Sequence, residues 1–545
     1  MTLTEGYSDK TLEAFVSFPS PYTQSLLVQA LVSVLPSLKL SLAPYPEDQP
    51  PALQWADYDL LSFDKPHSNP TKYLISSYIY RKALIRKHQL HSTIIAYLAK
   101  CDHRGIESVL KKGGVPKGWN VEIQFMDELD ELLLDDLYDL YEGLKENEEK
   151  LDQDRKWFIL KPGFADRAQG IRMFSTEDQL RAIFQEFEPP SSDEGDYDDE
   201  NDEEEMETTE ADEENAASVD GMIDVLARKA AEMGFDGEEE DNRQFDVEDH
   251  DEDEEEEEEE DGTGVMTSQL RHFVIQEYMP DPVLFDIAQQ SHQPSLFLEG
   301  YKFHLRAYVL VTAAYTVHLS RTMLALFSGS PYASPVSSSD GEEMDLKPHL
   351  TNTCLQTDAF GAPAPPEELV KLFWELEGLD ALSLSRGGKY EPKGKVTKEW
   401  LEKVFEKSGE VISEAVKAGA ECGSFGLQFM PNAFEIFGVD LILSFPSSSS
   451  STPEETLGEL PIPTVTLLEF NASPDFHQSG LRFKKDLLEM FKGVIRISIA
   501  PFFGLTISDD DDETNEGKET VEWKVGEERY NWTLVGKGAI RGSGW

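Results

Sequence analysis

Asp440, Glu469 and Asn471 sit in two short, mostly apolar stretches. These are Phe434-Glu435-Ile436-Phe437-Gly438-Val439-Asp440-Leu441-Ile442-Leu443 and Val465-Thr466-Leu467-Leu468-Glu469-Phe470-Asn471-Ala472-Ser473-Pro474. Both read as strands. Residues two apart in a strand share a face, so Glu469 and Asn471 point the same way. Set beside Asp440 on a neighbouring strand, they form a cluster of hard oxygen donors. Mg²⁺ held against a nucleotide's phosphates takes such a set: a few carboxylate oxygens, an amide oxygen, and positions left open for phosphate. Taken alone, Glu469 and Asn471 could equally be the solvent face of an edge strand.

Cations elsewhere supply the other half of a phosphate site. Lys161 ends the apolar run Trp157-Phe158-Ile159-Leu160-Lys161-Pro162, and a Gly-containing loop over 163–170 carries Arg167. Lys302 and Arg306 lie on the alternating strand Lys302-Phe303-His304-Leu305-Arg306-Ala307-Tyr308-Val309-Leu310-Val311, Arg321 follows it, and Lys82 falls on a helix. Donors on rigid strands, a loop over the phosphates and carboxylates for Mg²⁺ are what phosphate chemistry requires. Neither GxxxxGK[ST] nor GxGxxG occurs, so a P-loop or Rossmann site is not indicated.

Several elements must position these residues. The spacing predicts a helix around 25–31, a short strand at 52–55, a long helix from about 72 to 99 and an acidic helix over 132–144. Strands are expected at 157–162 and 171–174. Thr176 then caps a helix with Glu177 and Asp178 in its first turn. A strand resumes at 273–279. The strand at 302–311 pairs with 315–319 as a hairpin, and 397–418 is helical. The last 40 or so residues suggest no role.

Composition bounds the rest. The chain has 545 residues, 39% hydrophobic, enough for two or three domains. Of the net charge of −58, about −34 falls in residues 193–261, where roughly 37 acidic side chains meet 3 basic ones. Such a segment repels itself and buries little, so disorder is expected over 189–267, with one amphipathic island at 219–233 that reads equally as a docking peptide or as a marginal helix with no partner. This charge disfavours nucleic acid as a direct ligand. No run of 18 apolar residues exists, so no membrane span is expected, and the N-terminus does not read as a secretory signal. Cys101, Cys354 and Cys422 are far apart and read as reduced thiols of a cytosolic or nuclear protein.

Seven motifs occur in one order: Arg81-Lys82-Ala83-Leu84, Trp157-Phe158-Ile159-Leu160-Lys161, Val274-Ile275-Gln276-Glu277-Tyr278, Lys302-Phe303-His304-Leu305-Arg306, His349-Leu350-Thr351-Asn352, Phe437-Gly438-Val439-Asp440 and Leu468-Glu469-Phe470-Asn471-Ala472-Ser473-Pro474. Together they resemble the tubulin–tyrosine ligase family, over roughly residues 50–505 outside the acidic insertion. The resemblance implies an α+β ATP-grasp fold. It comprises an N-terminal domain (1–80), a central domain (81–278) interrupted by the insertion, a C-terminal domain (279–505) and a polar tail (506–545). It also implies roles. Lys82, Lys161 and Arg167 would bind nucleotide phosphates, and Gln276, Glu277, Tyr278 and Met279 would form the adenine hinge. Lys302, Arg306 and Arg321 would face phosphate or the acceptor carboxylate, Arg306 and Arg321 as the catalytic pair. Thr351 and Asn352 would touch nucleotide or substrate, and Asp440, Glu469 and Asn471 would hold Mg²⁺. His304, grouped with the nucleotide contacts, departs from the pattern, because family ligases usually carry Asp there. His349 reads as a packed or capping residue.

The implied reaction is ATP-dependent ligation. An acceptor carboxylate on a polypeptide, by resemblance tubulin, is activated as an acyl phosphate, and the amine of a free amino acid displaces phosphate. The alternative is a ligase-like binding module or pseudoenzyme of cytoplasmic mRNA-decay granules (P-bodies), with the insertion serving a docking partner. The charge argument makes one prediction. Replacing residues 191–265 with a short Gly/Ser linker leaves the thermal midpoint and ATP affinity nearly unchanged, because loop closure adds little cost. Unfolding of the shortened chain in a thermal melt would contradict it.

Overall fold

The computed structural model describes residues 12–46, 49–163, 168–186, 272–279, 281–287, 298–336, 344–352, 355–356, 366–423, 426–446, 460–505, 507 and 522–539. The acidic insertion, the helix expected at 219–233 and Arg167 lie outside them.

The first sheet is parallel, in the order β2-β1-β3-β4, from β1 (Glu13–Ser17), β2 (Lys39–Ser41), β3 (Leu53–Ala56) and β4 (Leu74–Ile75). Parallel pairing demands a crossover, and the helix Pro21–Val34 supplies it between β1 and β2. Ser20 caps that helix by accepting from the Thr23 amide at 3.4 Å, and Pro21 opens it. Its buried face, including Leu26, Leu27 and Leu31, shares a core with Leu487, Met490 and Phe491 of the helix Lys484–Val494.

The second sheet is antiparallel, in the order β5-β8-β6-β7, from β5 (Gly118–Glu122), β6 (Phe158–Pro162), β7 (Arg172–Phe174) and β8 (His272–Glu277). The helices Glu128–Leu134, Tyr138–Glu148 and Glu177–Glu186 pack on it through Leu133, Leu140, Leu144, Leu180 and Phe184. One helix was expected over 132–144, and two are present. The break falls at Asp135 (φ −124°, ψ −96°), where Asp135-Asp136 favours non-helical backbone.

The third sheet has ten strands: β9 (Leu284–Phe285), β10 (Tyr301–Thr312), β11 (Thr316–Phe327), β12 (Val370–Leu372), β13 (Asp380–Leu384), β14 (Tyr390–Lys395), β15 (Phe434–Ser444), β16 (Thr464–Asn471), β17 (Glu528–Arg529) and β18 (Trp532–Lys537). The expected hairpin is β10–β11. Beyond β10 lies β15, and β15 carries β16. The 25-residue helix Lys398–Cys422 packs against this sheet through residues such as Leu401, Ile412 and Val416, with Thr397 capping it through the Trp400 amide at 3.2 Å.

Two further differences follow from packing. The long helix expected from about 72 to 99 is instead β4, the one-turn helix Lys82–Ile85 and the helix Lys87–Arg104. Arg86 takes an extended conformation between the two helices (φ −98°, ψ 119°), so Lys87 opens the second. The C-terminal stretch that suggested no role supplies β18 on the edge of β11, where Trp532 is fully buried and donates its indole N–H to Met490 O at 3.0 Å.

Trp532→Ala therefore leaves a large cavity in the core shared by this sheet and the helix Lys484–Val494. A loss of about 3–5 kcal/mol is expected in urea unfolding. A wild-type midpoint would show that β18 is peripheral.

Candidate active site

Register brings the carboxylates together. Asp440 on β15 stands opposite Arg306 of β10 on one side and opposite Glu469 of β16 on the other, and a bulge follows between Asp440 and Leu441. Gly438 pairs with Asn471, which puts the amide beside Asp440, its Nδ2 donating to Asp440 Oδ2 at 3.2 Å. Gly438 also makes room: a Cβ there would lie 3.1 Å from Arg306 Cδ and 3.0 Å from Pro474 Cβ. Arg306 holds Asp440 with two donors, Nε to Oδ1 and Nη2 to Oδ2 at 3.0 Å. Burial works against the charge on Arg306, but Asp440 raises its pKa above the ordinary arginine value. Glu469 is paired with Lys87 Nζ at 3.2 Å. Although burial opposes ionisation, Lys87 and Lys161 hold its carboxyl well below the usual range.

These groups form one side of a cleft. The other side comes from β6, β8 and the 349–352 segment: Ile159, Lys161, Gln276, Glu277, Tyr278, Met279, His349, Thr351 and Asn352 all line it, with Lys302 and His304 of β10 at its base. Lys302 is buried. Its Nζ donates to the Tyr278 hydroxyl at 2.8 Å and to His349 O at 2.7 Å, and it lies 4.3 Å from the Tyr278 ring centroid. Among the described residues neither Lys302 nor Lys161 forms an ion pair with a carboxylate. Burial, with Lys161 nearby, lowers Lys302 to about 7. Burial lowers Lys161 to about 8 despite the opposing pull of Glu469.

At the end of β8, the Glu277 amide donates to Lys117 O and the Tyr278 amide to Trp157 O, both at 2.8 Å. Among the described residues the Met279 amide has no acceptor. Tyr278 OH and His349 Nδ1 are 3.1 Å apart, and the His349 ring packs edge-on to Tyr278 and Tyr332. Burial and then Lys302 push His349 down to about 4, so it is neutral at physiological pH. It is a packed histidine that also lines the cleft.

Lys82 and Arg321 are not brought into this group, and Arg306 pairs with Asp440 without itself lining the cleft. Lys82 is exposed on its one-turn helix and does not line the cleft. Arg321 of β11 makes a bidentate pair with Glu402 at 2.7 and 2.8 Å and lies over the Trp374 and Phe405 rings, 4.0 and 4.5 Å from their centroids. Its donors are engaged there, away from the lining residues of the cleft. One residue was missed: Lys87 occupies the place expected of Lys82. The basic cluster Arg86-Lys87-His88 was its only sequence signal, because the break at Arg86 was not anticipated.

The donor set fits Mg²⁺ in the presence of phosphates. Two carboxylates and an amide oxygen are too few for a self-sufficient cage, and among the described residues no group of three or more His, Cys, Asp or Glu gathers at one point. Mg²⁺ bound through one or two carboxylates completes its shell with phosphate oxygens and water. No described helix is long and apolar enough to cross a membrane.

Comparison with known proteins agrees with this architecture. Over 494 residues the chain is 29% identical to a probable tubulin–tyrosine ligase of Schizosaccharomyces pombe, covering 91% of this chain and 93% of that protein. It is 30% identical over 505 residues to the probable tubulin–tyrosine ligase PBY1 of Saccharomyces cerevisiae, covering 91% of this chain but about half (53%) of that protein. The crystal structure of the C-terminal domain of K. lactis Pby1, described as an ATP-grasp enzyme interacting with the mRNA decapping enzyme Dcp2, is similar at a TM-score of 0.53 and 24% identity. The likeness covers 96% of this chain and 99% of that one. The fold is therefore ATP-grasp, of mixed helix and sheet. Residues 64–506 match the model of the tubulin-tyrosine ligase family, and the chain belongs to that family.

Proposed function

We propose that this protein is an ATP- and Mg²⁺-dependent ligase that joins a free amino acid to a carboxylate of a protein, with tubulin the acceptor suggested by the names of its relatives. One observation carries the reading. Two lysines without carboxylate partners, Lys161 and Lys302, face the same cleft as Asp440, Glu469 and Asn471. Cations left unpaired in a low-dielectric cleft suit a polyanion, and adjacent carboxylates suit the metal that accompanies it.

Each residue then has a task. Asp440, Glu469 and Asn471 would hold Mg²⁺, which when bound neutralises charge on the phosphates. Lys161 and Lys302 would grip phosphate oxygens. The Met279 amide and the backbone around Gln276 and Glu277 would read adenine, with the Tyr278 side chain fixing Lys302. Thr351 and Asn352 would border the nucleotide. Arg306, which does not itself line the cleft, would act by holding Asp440 with its two donors. The protein's contribution is position and charge, with no covalent step of its own. Lys82 and Arg321 are left out of this set.

A second reading is favoured by one similarity, that to the Pby1 domain described as interacting with the decapping enzyme Dcp2. In that reading the chain is a ligase-like binding module in cytoplasmic mRNA-decay granules. The same incubation separates the two. Purified protein is mixed with cell extract, Mg-ATP and labelled amino acids. Label entering a protein band, dependent on ATP, supports ligation. Its absence, together with capture of the decapping enzyme, supports the binding module.

Three expectations follow from the site. Glu469→Gln and Asp440→Asn each remove a charge at nearly constant volume, so Mg-ATP-dependent turnover falls by about 10²-fold or more while the thermal melt stays cooperative, at a lowered midpoint in Asp440→Asn because Arg306 loses its partner. Normal turnover in either variant removes the metal assignment. Lys161→Ala weakens ATP binding by about tenfold or more, and Lys82→Ala by far less, in a direct titration. The reverse order contradicts the placement. Finally, Lys302 and Lys161 lose charge as pH rises through about 7 and about 8, being protonated below those values. ATP affinity should therefore fall between pH 6 and 9, and Lys302→Met should flatten the fall. A pH-independent affinity rules out these lysines as phosphate ligands.

A further inference from the structure

Lys87 opens the helix Lys87–Arg104, whose first turn holds no acidic residue and whose start has no side-chain cap. A cation there meets the positive end of the helix dipole and costs stability. The helix it begins therefore does not account for it. Its partner lies on β16: Nζ is 3.2 Å from Glu469 Oε2, with the two side chains only 22% and 21% exposed. Both residues line the cleft. A pair so enclosed is screened far less than one on the surface.

The register gives this pair its meaning. Glu469 stands directly opposite Asp440 of β15. Like charges facing each other across a strand pair repel unless each is neutralised. Arg306 neutralises Asp440, and Lys87 neutralises Glu469. The two carboxylates are therefore charged but already matched, and they offer little net attraction to a bare divalent cation. Mg²⁺ sits about 2.1 Å from a ligand oxygen, so an ammonium left on the same carboxylate would lie within a few ångströms of it. In a low-dielectric cleft two cations that close repel strongly. One must move. Arg306 grips its carboxylate with two donors, whereas Lys87 reaches Glu469 as a point charge on a flexible stem. Lys87 is the movable partner, and nucleotide phosphates in the same cleft would give its ammonium another anion.

We propose that Lys87 is a displaceable counter-ion that closes the Asp440–Glu469 pair to free divalent metal and makes metal binding conditional on the nucleotide. Phosphates entering the cleft draw the ammonium off Glu469, and the metal takes the carboxylate it leaves. The inference rests on the nucleotide reading of the cleft.

Mn²⁺, a hard divalent cation with a paramagnetic signal, tests it on the purified full chain. Mn²⁺ alone is titrated against wild type, Lys87→Met, Lys87→Arg and the double variant Lys87→Met/Glu469→Gln, and bound metal is read by electron paramagnetic resonance. Lys87→Met should bind Mn²⁺ about tenfold or more tighter than wild type, and Lys87→Arg about as weakly as wild type. The double variant should lose the gain. ATP is then titrated calorimetrically with and without Mn²⁺. The enhancement of ATP affinity by Mn²⁺ should be smaller in Lys87→Met by a similar factor, because the two bindings are linked. Mn²⁺ affinity in Lys87→Met no better than wild type overturns the proposal, as does a gain that survives Glu469→Gln or an undiminished Mn²⁺ enhancement of ATP binding. If the methionine variant does not fold, Lys87→Gln, which loses the same charge, decides in its place. Wild-type protein that binds no ATP with Mn²⁺ overturns the nucleotide reading and this inference together. Mn²⁺-enhanced ATP binding indifferent to residue 87 overturns this inference alone.

Discussion

The pairing of Arg306 with Asp440 across β10 and β15 is the interaction on which the site depends. Each partner is costly to bury by itself, and removing either would leave an uncompensated charge between strands. Held together by two donors, they fix the register at the point where β16 delivers Glu469 and Asn471. Gly438 lets the arginine stem cross β15, and the bulge after Asp440 shifts the register before pairing resumes at Leu441 and Leu467. A one-residue slip of either strand would turn these side chains to the opposite face. The large apolar sheet thus serves as a ruler for four polar side chains.

The balance of charge around that pair explains why the cleft is poised for an anion. Asp440 has Arg306, and Glu469 has Lys87. Lys161 and Lys302 remain, held by aromatic and carbonyl contacts or by none, and their charged forms are weakened by burial and by a neighbouring lysine, Lys87 for Lys161 and Lys161 for Lys302. Such an excess lowers stability and is tolerated where function needs it. A polyphosphate would relieve the repulsion, and a divalent cation would join the carboxylates to it.

Much of this was legible in sequence, for identifiable reasons. Strand alternation put Lys302, His304 and Arg306 on one face and Glu469 with Asn471 on another, and these side chains line or border one cleft. Motif order pointed to the family and fold. What was not legible came from tertiary packing. Lys82 looked like the helical cation of the site because the extended residue Arg86 has no strong local signal, and it is Lys87 that lines the cleft. Arg321 looked free, but its partner Glu402 lies 81 residues away on a helix whose docking no local pattern announces. The last strand was hidden in a polar tail because its largest anchor, Trp532, finds its burial against a helix distant in sequence.

The central claim is that Asp440 and Glu469 couple a divalent cation to nucleotide phosphates in this cleft. Calorimetric titration of ATP with and without Mg²⁺, on the wild-type protein and on Asp440→Asn, addresses it directly. The account predicts that Mg²⁺ tightens ATP binding by about tenfold or more in the wild type and has little effect in the variant. Equal ATP affinity with and without Mg²⁺ in the wild type, or full Mg²⁺ enhancement in Asp440→Asn, would contradict it.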